Sequence, residues 1–439
     1  MDSYLVIPLI ILLLIILLVL GLYIHSVLLA TGVIGLILLD GFGSLSGLLG
    51  NEPFNRVASY TLSTIPLFVL MAQFILHSGL VQDVFYIVHK VSRGRNSLLG
   101  VLTLMIGGML GAVSGSGTAT AAALGQVATP ELRRHGYSGP LAGIIAASGG
   151  SLSGIIPPSI ILILYGVATE TPIGKLFIGA IIPGIIVMFS FILVMLVYFA
   201  IEQKKGKTEE NESIESTEEE KIPLHQLIIA VIVSVLIVVI IFGGIYTGVF
   251  TPTEAGAIGS LVSLIAAILL GKFNFNFLKV SVLETIKLTG MVMLIMIGAQ
   301  IFGRFVSLSL FPRKLISLLE PIMDYPVLVL VLISIILFVL FMFIEGAAVI
   351  LMSIPVLLPI IQTLQVDILW FGVVVSAIAT IGLITPPVGM SVFAVAGATG
   401  IRSESIFRLG IVFAGVAMVI FMAAMILFPE LATWLPSRM

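Results

Sequence analysis

The sequence predicts an all-α, polytopic membrane protein of two inverted-topology repeats, each with a re-entrant helical hairpin and a helix broken at a Pro-Pro pair. Three observations lead there. Hydrophobic residues make up 59% of the chain and charged residues 10%, with a mean hydropathy of +1.26, whereas a soluble domain carries about 25% charged residues. Gly117, Ala119, Pro130, Gly143, Pro157 and Pro158 recur 229 positions later as Gly346, Ala348, Pro359, Gly372, Pro386 and Pro387. The one long polar run, 202–221 (EQKKGKTEENESIESTEEEK), divides the chain into halves of similar length.

Each membrane span needs about 20 apolar residues. Apolar stretches cover 4–24, 26–42, 62–80, 98–128, 138–168, 174–200, 224–250, 252–271, 285–310, 326–361, 367–398 and 405–434. The first follows Met1-Asp2-Ser3-Tyr4, has no basic residues before it, and reads as a retained span rather than a cleaved signal peptide. Two stretches are too long for one simple span and are interrupted. Gly107-Gly108, Gly111 and Ser114-Gly115-Ser116-Gly117 break the first, and Glu345-Gly346 breaks the second. Each reads as a hairpin, at about 98–130 and 326–361, that turns near mid-depth and leaves by the side it entered. Non-helical backbone at that depth is tolerated only where it is buried in protein or lines a wet cavity. The Pro-Pro-broken helices run over about 138–168 and 367–398. The organisation is then a first repeat (1–201), a polar, solvent-exposed linker (202–223) and a second repeat (224–439).

Basic loops orient the chain. Lys90, Arg93 and Arg95 precede the first hairpin and Arg133 and Arg134 follow it, so its base is cytoplasmic. The second hairpin ends in 362–367, without Lys or Arg, so its base is outside. Alternation then puts the N-terminus outside and the linker, Arg402 and Arg408 inside.

Interrupted hydrophobic segments at matching positions of two halves are the sequence pointer to a transporter's binding site. Glycines let the backbone turn and expose carbonyls, and Ser and Thr add hydroxyl oxygens, which suit a hard cation such as sodium. Prolines 157–158 and 386–387 free further carbonyls one turn back. If each hairpin tip faces its own Pro-Pro break, one sodium site lies near Ser114, Ser116, Gly154 and Ile156, and another near Gly346, Gly382, Thr385 and Pro387. Glu345, in FVLFMFIEGAAVILM, is an ionisable residue deep in apolar sequence and hence a candidate functional group. Arg304 is the matching cation for a substrate carboxylate, with Ser114 and Ser159 as hydrogen-bond donors. Thr251-Pro252-Thr253-Glu254 reads as a structural helix start.

Enzyme readings fail. There is no cysteine, and no G-x-S-x-G, H-E-x-x-H or Walker A pattern. His25, His77, His89, His135 and His225 are scattered, with no pair at metal-ligand spacing. An intramembrane hydrolase using Ser116 would lack a nearby His or Lys as general base, and a passive channel is a further alternative.

The motifs GAVSGSGTATAAALGQVATPELRRHGYS, GIIPPSIILILYG, KLFIGAIIPG, FTPTEAGAIGS and GLITPPVGMSVFAVAG resemble, in order and over nearly the whole chain, the large membrane subunit of the TRAP (tripartite ATP-independent periplasmic) transporters. The resemblance implies a secondary importer of organic acids in the bacterial inner membrane, of the C4-dicarboxylate or sialic-acid class. It implies Na+ as the coupling ion, no other cofactor, and an elevator-like motion of a two-hairpin transport domain. The implied partners are a small four-helix membrane subunit on a separate polypeptide and a periplasmic substrate-binding protein, with no nucleic acid. Ser114, Ser159 and the acid at the second hairpin tip carry over as substrate contacts. That acid is Glu345 here, where the family often has Asp. The alternative is a stand-alone sodium/dicarboxylate or citrate symporter without a binding protein.

Overall fold

In hydrocarbon every backbone N–H and C=O must find a partner within the protein, so a chain this apolar has to fold as helices or a closed barrel. The computed structural model describes residues 3–43, 45–92, 96–114, 116–204 and 223–439, apart from the side chains at 3, 4, 46, 48, 52, 55, 56, 88, 89, 112–114 and 224. Among these residues there are helices and connecting turns and no strand. Eight of the helices are long and apolar enough to cross a membrane.

The helix boundaries repeat with the sequence. The first hairpin is Asn96–Ser114 and Gly117–Arg134, followed by Gly139–Ser151, a break, and Ile160–Thr169. Shifted by 229 positions, these fall on 325–343, 346–363, 368–380 and 389–398. The observed helices there are Pro326–Phe343, Gly346–Thr363, Ile368–Gly382 and Met390–Thr399. The Pro157-Pro158 and Pro386-Pro387 peptide bonds inside the two broken helices are cis. The linker expected to begin at 202 begins later. The Ile181–Lys204 helix runs through Glu202, whose carboxylate accepts from the Ser138 hydroxyl at 2.6 Å and the Ser138 N–H at 3.3 Å. The remainder of that linker, 205–222, lies outside the described residues.

A span expected at 285–310 is instead part of one helix, Phe275–Leu308, of 34 residues. At 1.5 Å per residue it is about 51 Å long, well beyond a hydrocarbon core of about 30 Å. Lys279, Glu284 and Lys287 hide its start from a hydropathy reading, but Asn274 caps it with a 2.8 Å bond from the Phe277 N–H. The Thr251 helix start forms a full capping box: Thr251 Oγ1 accepts from the Glu254 N–H, and the Glu254 carboxylate accepts from the Thr251 N–H at 2.8 Å.

The halves interlock by exchange. Ile160–Thr169, after the first break, packs on Gly346–Thr363 of the second hairpin, and Met390–Thr399, after the second break, packs on Gly117–Arg134 of the first. The outer helices pair the same way: Ile24–Asp40 with Phe275–Leu308, and Thr64–His77 with Pro252–Leu269. Small residues allow these backbones to approach. A Cβ on Gly32 would sit 2.7 Å from the Phe302 nitrogen, and one on Gly150 would sit 2.4 Å from the Ala121 nitrogen.

Gly150→Val forces the first hairpin off the first broken helix. Overpacking of this kind costs about 1–3 kcal/mol, so thermal unfolding in detergent should shift down by several degrees. Gly397→Ala, at an exposed position with open space around it, should leave the midpoint unchanged or slightly raised.

Candidate functional site

A cavity of about 180 Å³ lies where the breaks of the two halves meet. The first hairpin contributes Ser116, Gly117 and Thr118, and the second contributes Ile344, Glu345, Gly346 and Ala347. The broken helices add Ser153, Gly154, Ile160 and Ile161 from one half and Ala379, Leu383 and Met390 from the other. Val69 of Thr64–His77, with Leu288, Met291 and Val292 of Phe275–Leu308, forms an apolar wall.

Gly117, Ile160, Gly346 and Met390 are the first residues of four different helices, and all four line this one cavity. A helix N-terminus presents up to four N–H groups without intrahelical partners and the positive end of the helix dipole. Side-chain caps satisfy little of this. Ser116 accepts from the Ala119 N–H, Ser159 from the Leu162 N–H and Glu345 from the Ala348 N–H, each at a long 3.4 Å. Gly389, before the fourth helix, is left-handed (φ 40°) and has no side-chain cap to offer. Four such ends around one small volume are the geometry that suits an anion, although the Ser391 N–H of the fourth already donates to the Leu383 carbonyl at 3.1 Å. The helix ends on the other side of each break add carbonyl oxygens and partial negative charge, the complementary environment for a cation.

The structure brings Ser116, Gly154, Glu345 and Gly346 to the cavity. Ser159 is fully buried just behind it and donates its hydroxyl to the Gly154 carbonyl at 2.7 Å. The Ser114 side chain lies outside the described residues. Five expected positions do not line the cavity. The Ile156 side chain points toward Gly108, and its N–H donates to the Leu152 carbonyl at 2.8 Å. Gly382 packs on Phe341, its carbonyl accepting from the Thr385 N–H at 3.0 Å, and the Thr385 hydroxyl donates to the Ile381 carbonyl at 2.7 Å. Pro387 is exposed. Arg304 is also exposed and sits twelve residues past Val292 on the same helix, about 18 Å along the axis. Arg304, expected as the cation for a substrate carboxylate, is therefore not brought to the cavity.

The structure adds Ser153, Ser376 and Thr380. The Ser153 hydroxyl is buried at the cavity wall with no hydrogen-bond partner among the described residues. The Ser376 hydroxyl donates to the Gly154 carbonyl from the other half, and a Cβ on Gly154 would sit 2.6 Å from Thr380 Oγ1. A signal for Ser153 was present in the small-residue run 148–154 (SGGSLSG). For Ser376 and Thr380 it was only two hydroxyls one turn apart in an apolar span.

The family model for the DctM component of the tripartite ATP-independent periplasmic transporters matches residues 11–431. The chain belongs to this family. It is 30% identical over 391 residues to the sialic acid TRAP transporter large permease protein SiaM of Vibrio cholerae, covering 87% of each chain. It is 30% identical over 364 residues to the C4-dicarboxylate TRAP transporter large permease protein DctM of Pseudomonas aeruginosa, covering 81% of each. Among solved structures, the YdaH transporter of Alcanivorax borkumensis shares the fold with a TM-score of 0.66 at 14% identity, over 90% of this chain and 89% of that one. This DctM-family chain is thus a multi-pass protein of the bacterial inner membrane and a large membrane subunit of a TRAP transporter. Its relatives are named as permeases, which gives it a transport role rather than an enzymatic one.

Removing a buried hydroxyl that has no partner is neutral or mildly stabilising. Ser153→Ala should therefore leave the unfolding midpoint unchanged or raised while lowering uptake in vesicles about tenfold. Unimpaired uptake would take Ser153 out of the site.

Proposed function

We propose that this chain is the transport subunit of a sodium-coupled importer of organic acids, of the C4-dicarboxylate or sialic-acid class, working with a periplasmic substrate-binding protein and a separate small membrane subunit. The observation that carries the reading is the meeting of four helix N-termini at one cavity. Each such end favours a carboxylate by about 0.3–1 kcal/mol, and by up to about 2 kcal/mol when partly buried. The hydroxyl and carbonyl oxygens of Ser116, Ser153 and Gly154, and the backbone beside Gly346 and Leu383, are the chemistry that sodium takes. Names of relatives specify sialic acid and C4-dicarboxylates, both anions that suit such a cavity.

Inverted repeats place a site at their interface and let one bundle rock or slide against the other. The repeated helix boundaries and the reciprocal packing of each half's post-break helix on the other's hairpin support such a pair. In this reading the hairpins and broken helices carry the substrate as an elevator past the apolar wall of Thr64–His77 and Phe275–Leu308. The wall offers Val69, Leu288, Met291 and Val292 and no polar group to hold a ligand back.

The test is uptake of labelled succinate and sialic acid into vesicles containing the complete transporter, with an inward sodium gradient against a choline gradient. Wild type should accumulate one of these anions only with sodium. Gly346→Leu crowds the second helix start, where even an added Cβ would lie 3.0 Å from Ile161; it should abolish that uptake while the protein stays folded in the membrane. Equal uptake with choline would refute sodium coupling, and uptake by the large subunit alone would favour a stand-alone symporter.

A further inference from the structure

The Gly154 carbonyl is claimed twice. Ser159 donates to it from five residues ahead at 2.7 Å, and Ser376 donates to it across 222 positions of sequence. A carbonyl oxygen has two lone pairs, so both are engaged. Gly154 lines the cavity, and both serines are fully buried. A sodium ion taking this oxygen competes directly with the two hydroxyls.

Ser376 has somewhere else to go. A serine in mid-helix commonly turns its hydroxyl back onto the carbonyl four residues earlier, which here is Gly372. The neighbouring Thr380 already does this, donating to the Ser376 carbonyl at 2.9 Å. One rotation about the Ser376 side chain therefore exchanges an inter-half bond for an intra-helix one and leaves no donor orphaned. Ser159 lacks this freedom, because its oxygen also caps the helix that starts at Ile160. Beside them, the Ser153 hydroxyl, without a partner among the described residues, offers a further oxygen within the same wall.

We propose that Ser376 is a positioning residue for the first cation region: its hydroxyl holds the Gly154 carbonyl in the arrangement described here and turns back onto its own helix when sodium takes that oxygen. The inference rests on the sodium reading above. It makes the second half's broken helix a sensor of cation binding in the first half, through one hydrogen bond. It also means that sodium must displace this bond in order to bind, which sets the sodium affinity lower than the oxygens alone would give.

The experiment measures sodium dependence in two ways on the complete transporter, with choline replacing sodium at constant ionic strength. One readout is the rise in unfolding temperature with sodium, and the other is the sodium concentration for half-maximal uptake. Deleting the competing hydrogen bond in Ser376→Ala should lower the half-saturating sodium concentration about 5–10-fold in both. Ser376→Cys keeps the volume with a weak donor; it should fall between Ala and wild type, and it carries the comparison if the alanine variant does not fold. A purely structural role for Ser376 predicts weaker sodium binding, not tighter. Half-saturation unchanged or raised in folded variants, with wild-type sodium dependence intact, would overturn the inference alone. No sodium response in wild type would refute the coupling reading first, and this inference with it.

Discussion

A helix that stops inside a membrane leaves up to four N–H groups at one end and four carbonyls at the other, with no water to receive them. In this protein four helices start at one cavity, and the features of the site follow from how those groups are accommodated. Side-chain caps at Ser116, Ser159 and Glu345 accept from the Ala119, Leu162 and Ala348 N–H groups at 3.4 Å, and the Glu345 carboxylate also accepts from the Ala347 N–H. The four helix starts line a common volume of about 180 Å³, and at the fourth the Ser391 N–H is taken by the Leu383 carbonyl at 3.1 Å. Bringing four positive helix ends together is unfavourable unless something anionic enters or screens them, so in the proposed reading the backbone, rather than arginine or lysine, supplies the attraction for a carboxylate. Among the described residues Glu345 is the one carboxylate that lines the cavity.

The same constraint explains the exchange between halves. A half that kept its post-break helix to itself would leave its hairpin tip open to lipid. Passing Ile160–Thr169 to the second hairpin and Met390–Thr399 to the first covers both tips with protein. Contact at this distance needs small residues, which is why glycines cluster on the crossing faces. The Tyr165 hydroxyl, donating to the Ile368 carbonyl at 2.7 Å, ties the far end of one broken helix to the start of the other, while Ser376 ties their centres. The cavity is thereby a property of the pair and of neither half alone.

Much of this was legible in the sequence because the decisive residues are backbone-determining ones. Glycine runs and Pro-Pro pairs at a 229-residue spacing mark where helices must stop, and Glu345 stands out by its charge in an apolar stretch. What stayed hidden depends on distance in space. The local motifs led to an expectation of two separate cation regions, whereas the meeting of both breaks at one cavity depends on the crossing of Ile160–Thr169 with Ile368–Gly382, which no spacing encodes. Ser376 is an unremarkable serine until Gly154 is placed beside it. Arg304 looked like a partner for a carboxylate because charge is visible in a sequence and helix length is not. The long Phe275–Leu308 helix carries it out to an exposed position.

The most direct test is a density map of the complete transporter with a bound C4-dicarboxylate or sialic acid. The account predicts a carboxylate group within hydrogen-bond reach of the first-turn N–H groups of both the Gly117–Arg134 and Gly346–Thr363 helices. A carboxylate held elsewhere, with those helix ends satisfied only by Ser116 and Glu345, would contradict it.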